Sequence, residues 1–335
     1  MKRRKIMKLI AFGCGRKYGN SEVFIKTALK AAEAKGIEVE FVRLKDFEML
    51  KCTDCDLFCQ KDVYKCPHHQ DDTPYLVEKF LDSDGVIIGG PVFSLTPNSI
   101  FFTFRDRMFG PKMDVASLWE LGREPEEFVK GRFKARPGAL ISVGGALTEN
   151  WTSLGIPNMY SATFSAQTDI VDHMNVYGVS DPAEACIKEE WLEKARKLGE
   201  NVADAMLTGD HRWRGEQEGL CPQCHLNLIQ IEPGTTKALC PVCGIYGEMT
   251  IEDGAVKINW PDDFEHRRDN RLTPKGKAVH LREIREHMAM YAPDVERAKE
   301  LLKEIKDYNA CELKSPIREA KKAELLAKAA EKKAE

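Results

Sequence analysis

Residues 6–21, IMKLIAFGCGRKYGNS, open with a short apolar run, turn on closely spaced glycines and close on a polar stretch that leads into a helix. The apolar run is strand length, and the residues beyond it repeat their apolar side chains every three to four positions. A helix is therefore expected from about Ser21 to Lys35, with Ile25, Ala28, Leu29 and Ala32 on one face and Gly36 placed to end it. The same alternation continues outward. Strands are expected over 37–44, 85–93, 138–145 and near 169–178, and helices near 73–82, 97–108 and 182–207. GVIIGGPVF (85–93) and GALISVGG (138–145) are almost wholly apolar, as strands covered on both faces must be. Strand and helix alternating in this way predicts an α/β fold with a doubly wound parallel sheet.

The chain has 335 residues, with 50 Lys plus Arg against 53 Asp plus Glu and a net charge of −3. That balance argues against affinity for nucleic acid through a basic face, which needs many cations to neutralise phosphates. No stretch reaches the roughly 18–20 apolar residues of a membrane span. The basic N-terminus precedes an apolar run too short for an export signal, so a soluble, cytoplasmic protein is expected. Three regions are expected: the sheet domain over 1–208, a small unit over 209–262 and a helical region over 263–335. In the small unit, GEMTIEDGAVKINW reads as a hairpin turning on Asp253-Gly254. Ala292-Pro293-Asp294 and Ser315-Pro316 are placed to start helices in the third region.

In a doubly wound sheet, ligands bind beyond the carboxyl ends of the strands. The first such loop, Gly13–Ser21, offers backbone N–H groups and a helix N-terminus to a phosphate. Arg16 and Lys17 add charge, and Asn20 and Ser21 add side-chain hydrogen bonds. Its glycines fit neither the dinucleotide-binding nor the Walker A spacing, and by itself the loop also reads as a plain turn. The loop after the third strand, Gly89–Ser99, sets Phe93 among small and polar residues, which suits a planar ring. A third Gly-rich turn, Ser142–Ala146, ends the fourth strand at the same edge.

Over about residues 6–207 the chain resembles the NADPH-dependent FMN reductase group of flavodoxin-like flavoproteins, especially the iron-sulfur flavoproteins. The resemblance lies in GCGRKYGNSE, in DGVIIGGPVF followed by FRDR, in ISVGG and in EKARKLGENVADAM. It implies FMN as cofactor, with Arg16, Lys17, Asn20 and Ser21 on the phosphate. Pro91, Val92, Phe93, Ser94, Leu95 and Thr96 would lie along the ring, and Gly144 and Gly145 would border it. Cys14, also counted as a cofactor position, stands where relatives usually have serine, and Phe93 where they have tyrosine. The resemblance further implies an NAD(P)H or ferredoxin-like electron donor and a homo-oligomer, most simply a homodimer.

Eight of the eleven cysteines fall into two groups. Clustered thiols in a chain without an export signal point to metal rather than disulfides. Cys52, Cys55, Cys59 and Cys66 supply four soft ligands within fifteen residues, suited to a 4Fe-4S cluster or to zinc. The resembling iron-sulfur flavoproteins carry a compact four-cysteine motif here, followed by Asp-Asp like Asp71-Asp72. Their second gap is usually two residues, where this chain has three. His68 and His69 read chiefly as polar loop residues. Cys221, Cys224, Cys240 and Cys243 form two Cys-Pro-x-Cys pairs fifteen residues apart, the pattern of a zinc ribbon or of a rubredoxin-like iron site. Cys186, expected within an amphipathic helix, and Cys311, in a helix connection, are read as structural, and Trp119, Trp151 and Trp191 as packing in cores or subunit contacts and not on the cofactor.

The expected function is an FMN-dependent iron-sulfur oxidoreductase, whose cofactors carry the chemistry while the protein supplies position and potential. Two alternatives stand beside it. One is an NAD(P)H-dependent flavin, quinone or nitro-compound reductase without a cluster, and the other a redox-sensing scaffold.

Overall fold

The computed structural model describes residues 6–53, 66–109, 132, 134–216, 218–267 and 270–306, with scattered positions between 316 and 327. Cys55, Cys59, Trp119 and Cys311 lie outside the described residues.

Five strands, β1 (Lys8–Gly13), β2 (Glu38–Arg43), β3 (Gly85–Phe93), β5 (Arg136–Val143) and β6 (Thr168–Val176), pair in parallel in the order β2-β1-β3-β5-β6. A two-residue strand, β4 (Thr96–Pro97), folds back antiparallel on β3. This is the flavodoxin-like order, whose switch point lies between β1 and β3. Helices α1 (Asn20–Ala34) and α5 (Glu189–Thr208) cover one face, with a core containing Leu9, Ala11, Ile87 and Ile141. They approach closely enough that a Cβ on Gly199 would lie 2.0 Å from the Ala28 carbonyl oxygen. Residues α2 (Thr73–Leu81), α3 (Ser99–Phe104) and α4 (Gly155–Met159) serve the other face, built on Ile10, Phe12, Ile88 and Leu140. Alternate residues of β1 and β3 thus feed two cores, which is why these strands read as continuous apolar runs.

Some element boundaries differ from the sequence reading. The helix expected over 97–108 is α-helical only to Phe104 and continues as a π-turn, Arg105–Phe109. The helix expected from 182 begins at Glu189. Ahead of it, Ala183 takes a left-handed conformation (φ 64°) and Glu184–Ile187 form a 3₁₀ turn, so Cys186 is an exposed turn residue, not a helix residue. Trp151, read as packing in a core or a subunit contact, is largely exposed and so is not a core residue of the chain.

Residues 221–259 form the small unit. Strands β7 (Gln230–Ile231), β8 (Lys237–Leu239), β9 (Tyr246–Glu252) and β10 (Ala255–Asn259) make an antiparallel sheet, and Asp253 and Gly254 (φ 53° and 79°) turn the last hairpin. Asn-Gly and Asp-Gly turns of this kind match the twist of the flanking strands. The small unit does not build a core of its own. Cys221, Cys224, Val242 and Ile245 belong to the same buried cluster as Phe12 and Tyr160. By its contacts the chain forms two compact units, residues 1–282 and 283–335. Within residues 283–335, the described chain is chiefly the last nine residues of α6 (Pro274–Tyr291) and α7 (Val295–Lys306), whose Leu301, Leu302 and Ile305 are exposed. No helix among the described residues is long and apolar enough to cross a membrane.

Candidate flavin and metal sites

The loop from Gly13 to Ser21 carries the chain from the carboxyl end of β1 into α1. Helix α1 starts at N-cap Gly19 with no side-chain cap. Its first N–H groups are therefore left to an external acceptor, the usual provision for a phosphate. The loop wraps tightly, since a Cβ on Gly15 would sit 2.3 Å from Ser21 Oγ. Arg16 and Lys17 are exposed at its tip, while Ser21 is buried at its base.

Two of the expected positions do other work. Asn20 Nδ2 donates to the Asp181 carbonyl (2.9 Å) and its Oδ1 accepts from Ala185 N–H (3.1 Å), so this side chain pins the turn before α5. The Cys14 side chain is wholly buried in the core, and burial pushes its thiol up to about 12. Its backbone, by contrast, ties the edge together. Cys14 N–H donates to the Gly89 carbonyl (2.8 Å), and Asn98 Nδ2 donates to the Cys14 carbonyl (2.9 Å). Asn98 also caps α3 through its Oδ1.

The loop after β3 is a hairpin in which Val92 pairs with Pro97 and Phe93 with Thr96. Its two central residues, Ser94 and Leu95, both have left-handed φ (50° and 74°), a conformation costly for residues other than glycine. This is the conformation of a tight hairpin turn, and here it raises Phe93 from the sheet edge. Beyond β5, Gly144 N–H donates to the Val176 carbonyl, and the Gly144 carbonyl accepts from Val179 N–H. Four large apolar side chains stand exposed on these three loops: Tyr18 (69%), Phe93 (63%), Leu147 (86%) and Trp151 (60%). All four lie on connections that leave the carboxyl edge of the sheet.

Of the first cysteine group, Cys52 is exposed and Cys66 is buried. Both ends of their segment are fastened by Arg107, a residue of the π-turn after α3 that sequence reasoning did not single out. Its guanidinium grips Asp71 through both terminal nitrogens, donates to the Leu50 carbonyl (2.6 Å) and the His68 carbonyl (3.1 Å), and lies 3.8 Å from Cys66 Sγ. Arg107 and Asp71 are each 1% exposed. Burial works to raise the Asp71 carboxyl, but Arg107 and the backbone N–H groups of Leu50 and Thr73 outweigh it and hold the group below the ordinary range. Asp72 joins the same strands of chain by accepting from Glu48 N–H (2.6 Å). The FRDR run was visible in the sequence, but the 36-residue separation of Asp71 from Arg107 hid their pairing.

The second group is a finished site. The four sulfurs of Cys221, Cys224, Cys240 and Cys243 lie within 4.8 Å of one another and are all buried. A single tetrahedral ion about 2.3 Å from each thiolate requires sulfurs about 3.8 Å apart, and the diagonal pairs stand at 3.4 and 3.5 Å. Two matching knuckles place them: His225 N–H donates to the Cys221 carbonyl and Gly244 N–H to the Cys240 carbonyl. The residue after each pair is left-handed, His225 at φ 55° and Gly244 at φ 87°. The sheet domain grips the first knuckle from beneath. Tyr160 Oη donates to the Cys224 carbonyl (2.9 Å), and His173 Nε2 lies 3.3 Å from the same oxygen.

Comparisons with known proteins agree with this layout. The profile of the NADPH-dependent FMN reductase family matches residues 7–151. An iron-sulfur flavoprotein of Archaeoglobus fulgidus is 30% identical over 193 residues, covering 58% of this chain and 77% of that protein. The chain belongs to the flavodoxin-like NADPH-dependent FMN reductase family. Within the family it extends past the iron-sulfur flavoproteins. One from Methanocaldococcus jannaschii is 28% identical and matched over 97% of its length, yet covers 60% of this chain. A flavone synthase of Aspergillus candidus, 28% identical over 290 residues, covers 83% of this chain and 88% of its own. Among solved structures, a flavone reductase superposes with TM-score 0.72 at 24% identity, over 92% of this chain and all of its own, and so shares the fold including the added region. The protein is a flavin-dependent oxidoreductase with a four-cysteine metal site.

Proposed function

We propose that this protein uses FMN to pass electrons from NAD(P)H, or from a ferredoxin-like donor, to a planar conjugated carbonyl compound of flavone type. The observation that carries this reading is the exposure of Tyr18, Phe93, Leu147 and Trp151 on the connections that leave the carboxyl ends of β1, β3 and β5. Large apolar side chains set there bind a flat apolar molecule over a flavin ring by burying its faces, which water solvates poorly. The likeness to a flavone synthase covers 83% of this chain, more than the sheet domain alone, and supports the choice of acceptor.

FMN, when bound, supplies hydride or single-electron transfer. The chain's own residues do the holding. The uncapped start of α1, with Arg16, Lys17 and Ser21, takes the phosphate, and Pro91–Thr96 with Gly144 and Gly145 take the ring. The strained turn at Ser94 and Leu95 keeps Phe93 raised beside the ring. NAD(P)H-driven reduction of a flavone, followed by loss of its absorbance under argon and scored against a quinone and a nitroarene, tests the reading. Turnover of the quinone alone would overturn the acceptor and leave a plain quinone reductase.

A second feature, a 4Fe-4S cluster on Cys52, Cys55, Cys59 and Cys66, is favoured by the Arg107 clamp beside Cys66. Guanidinium N–H groups at a thiolate are charge-assisted donors of the kind that stabilise bound clusters. The likeness to iron-sulfur flavoproteins supports it, and the four-cysteine ribbon is then a separate zinc or rubredoxin-like iron site. Iron and sulfide assays on protein purified without oxygen decide between cluster and no cluster.

A further inference from the structure

A cleft of about 530 Å³ opens where the edge strand β6 meets α5 and the first ribbon knuckle. None of residues 14–21, 91–96 or 144–145 lines it, but Glu149 and Asn150, in the same turn as Trp151, do, so it lies beside the flavin edge and not on it. We propose that it binds a second ligand, a planar uncharged aromatic molecule bearing hydroxyl or carbonyl oxygens.

The cleft has a built aromatic floor. Trp213 stacks on His225 with centroids 4.1 Å apart and planes 10° from parallel, and His173 leans on Trp213 at 4.8 Å. Trp191 and Tyr177, in contact edge to face at 5.5 Å, line it as well. His225 holds this stack while occupying the left-handed position that the second knuckle gives to Gly244. A histidine in that conformation costs about 1 kcal/mol or more, and such strain gathers at functional surfaces. A face of stacked rings selects flat π systems.

Its polar chemistry is specific too. Trp213 Nε1, His225 Nδ1 and Asn175 Oδ1 are buried in the walls with no hydrogen-bond partner among the described residues. Buried orphan groups are uncommon and costly, and a ligand oxygen that displaces the side chains covering them supplies what they lack. Trp213 needs an acceptor and Asn175 Oδ1 a donor, a combination that phenolic hydroxyls provide. Charge in the lining is close to balanced, with Glu149, Glu216 and Asp172 against Lys194 and Lys197, and Lys194 is already engaged by Glu190 at 2.9 Å. That balance gives no purchase to a strongly charged ligand. The volume falls within the usual range for small-molecule sites.

The test is calorimetric titration of the FMN-loaded full chain with 2-naphthol and with naphthalene, while the flavin absorption band is followed in parallel. Saturable binding of 2-naphthol is expected with the flavin band unmoved, naphthalene binding about fivefold or more weaker for want of the hydroxyl. Trp213→Leu should weaken 2-naphthol about tenfold, and Trp213→Phe, which keeps the stack but not the N–H, about threefold. No saturable binding, equal affinity for the two compounds, indifference to both Trp213 variants, or a flavin band that moves with binding would each overturn the proposal. Because the wild-type comparison of the two compounds needs no variant to fold, and the readout needs no turnover, the result stands apart from that of the flavone assay.

Discussion

The two cysteine groups are held in place by different means. In the ribbon, each pair of ligands sits on a knuckle whose own backbone hydrogen bonds fix it, and two such knuckles facing one another bring four sulfurs within 4.8 Å. At the first group, the described ends of the segment are held by one buried arginine that reaches them from a π-turn of another element. A locally coded site is legible as a spacing motif, whereas a site fastened across the fold depends on a partner that no spacing reveals. Different failures follow when each is damaged, and that contrast is open to experiment.

The largest effect belongs to the ribbon. Cys221→Ser should remove one metal ion per chain, by elemental analysis, and cost about 5 kcal/mol or more of stability, because binding energy at such sites is folding energy. The loss should spread beyond the small unit, since Cys221 packs in the same cluster as Phe12 and Tyr160. A single calorimetric transition moving to lower temperature is expected. A separate transition for the ribbon, with the rest unmoved, would show that the shared core does not couple them.

Next comes the clamp. Arg107→Met leaves the Asp71 carboxylate buried with only the backbone N–H groups of Leu50 and Thr73, a change expected to cost about 3–5 kcal/mol in urea unfolding. The double variant with Asp71→Asn should recover much of that, because the stranded charge is gone. Sulfide-bearing iron, where the first group holds a cluster, should fall in both variants while the ribbon metal stays. Iron unchanged in Arg107→Met would break the contrast between the two groups.

A smaller effect sits on β6. Burial raises the Asp172 carboxyl to about 6 against Asn201, whose side chain donates to it at 2.8 Å, with Glu216 pushing the same way and Lys197 opposing. A carboxyl raised in the folded state favours folding only while protonated, so its contribution is full below its ordinary value near 4 and is lost as pH climbs through about 6. Wild type should therefore lose up to about 3 kcal/mol relative to Asp172→Asn between pH 4 and pH 7, read from urea midpoints. Parallel curves for the two proteins would show that this carboxyl is ionised throughout.

Much of this was readable in advance, for physical reasons that differ by region. Strands β1, β3 and β5 announced themselves because two-sided burial leaves no polar positions to confuse the pattern, and the helix α1 because its apolar face repeats over four turns. The ribbon sulfurs were legible since their geometry is set within four residues of each pair. Long-range pairing was not. Asn20 looks like a phosphate ligand until the turn at 181–185 is seen to occupy it, and Cys14 looks like part of the loop although its thiol faces the core. Nothing local marks Tyr160 as a support for Cys224, 64 residues away.

That support gives the finest test. Tyr160 is buried, its hydroxyl pushed well above its ordinary value by burial and by the neighbouring cysteine sulfurs, so it stays a neutral donor at any working pH. Removing only the hydroxyl, in Tyr160→Phe, should cost about 1–2 kcal/mol, since the Cys224 carbonyl would keep His173 alone as a neighbour. The ion itself should remain bound, because the knuckle bonds and all four thiolates are intact. What should change is its release to a strong chelator, faster by a few-fold as the first knuckle opens more often from the sheet. Unchanged release with unchanged stability would mean that apolar packing alone seats the ribbon, and that the hydroxyl merely satisfies itself on the nearest carbonyl.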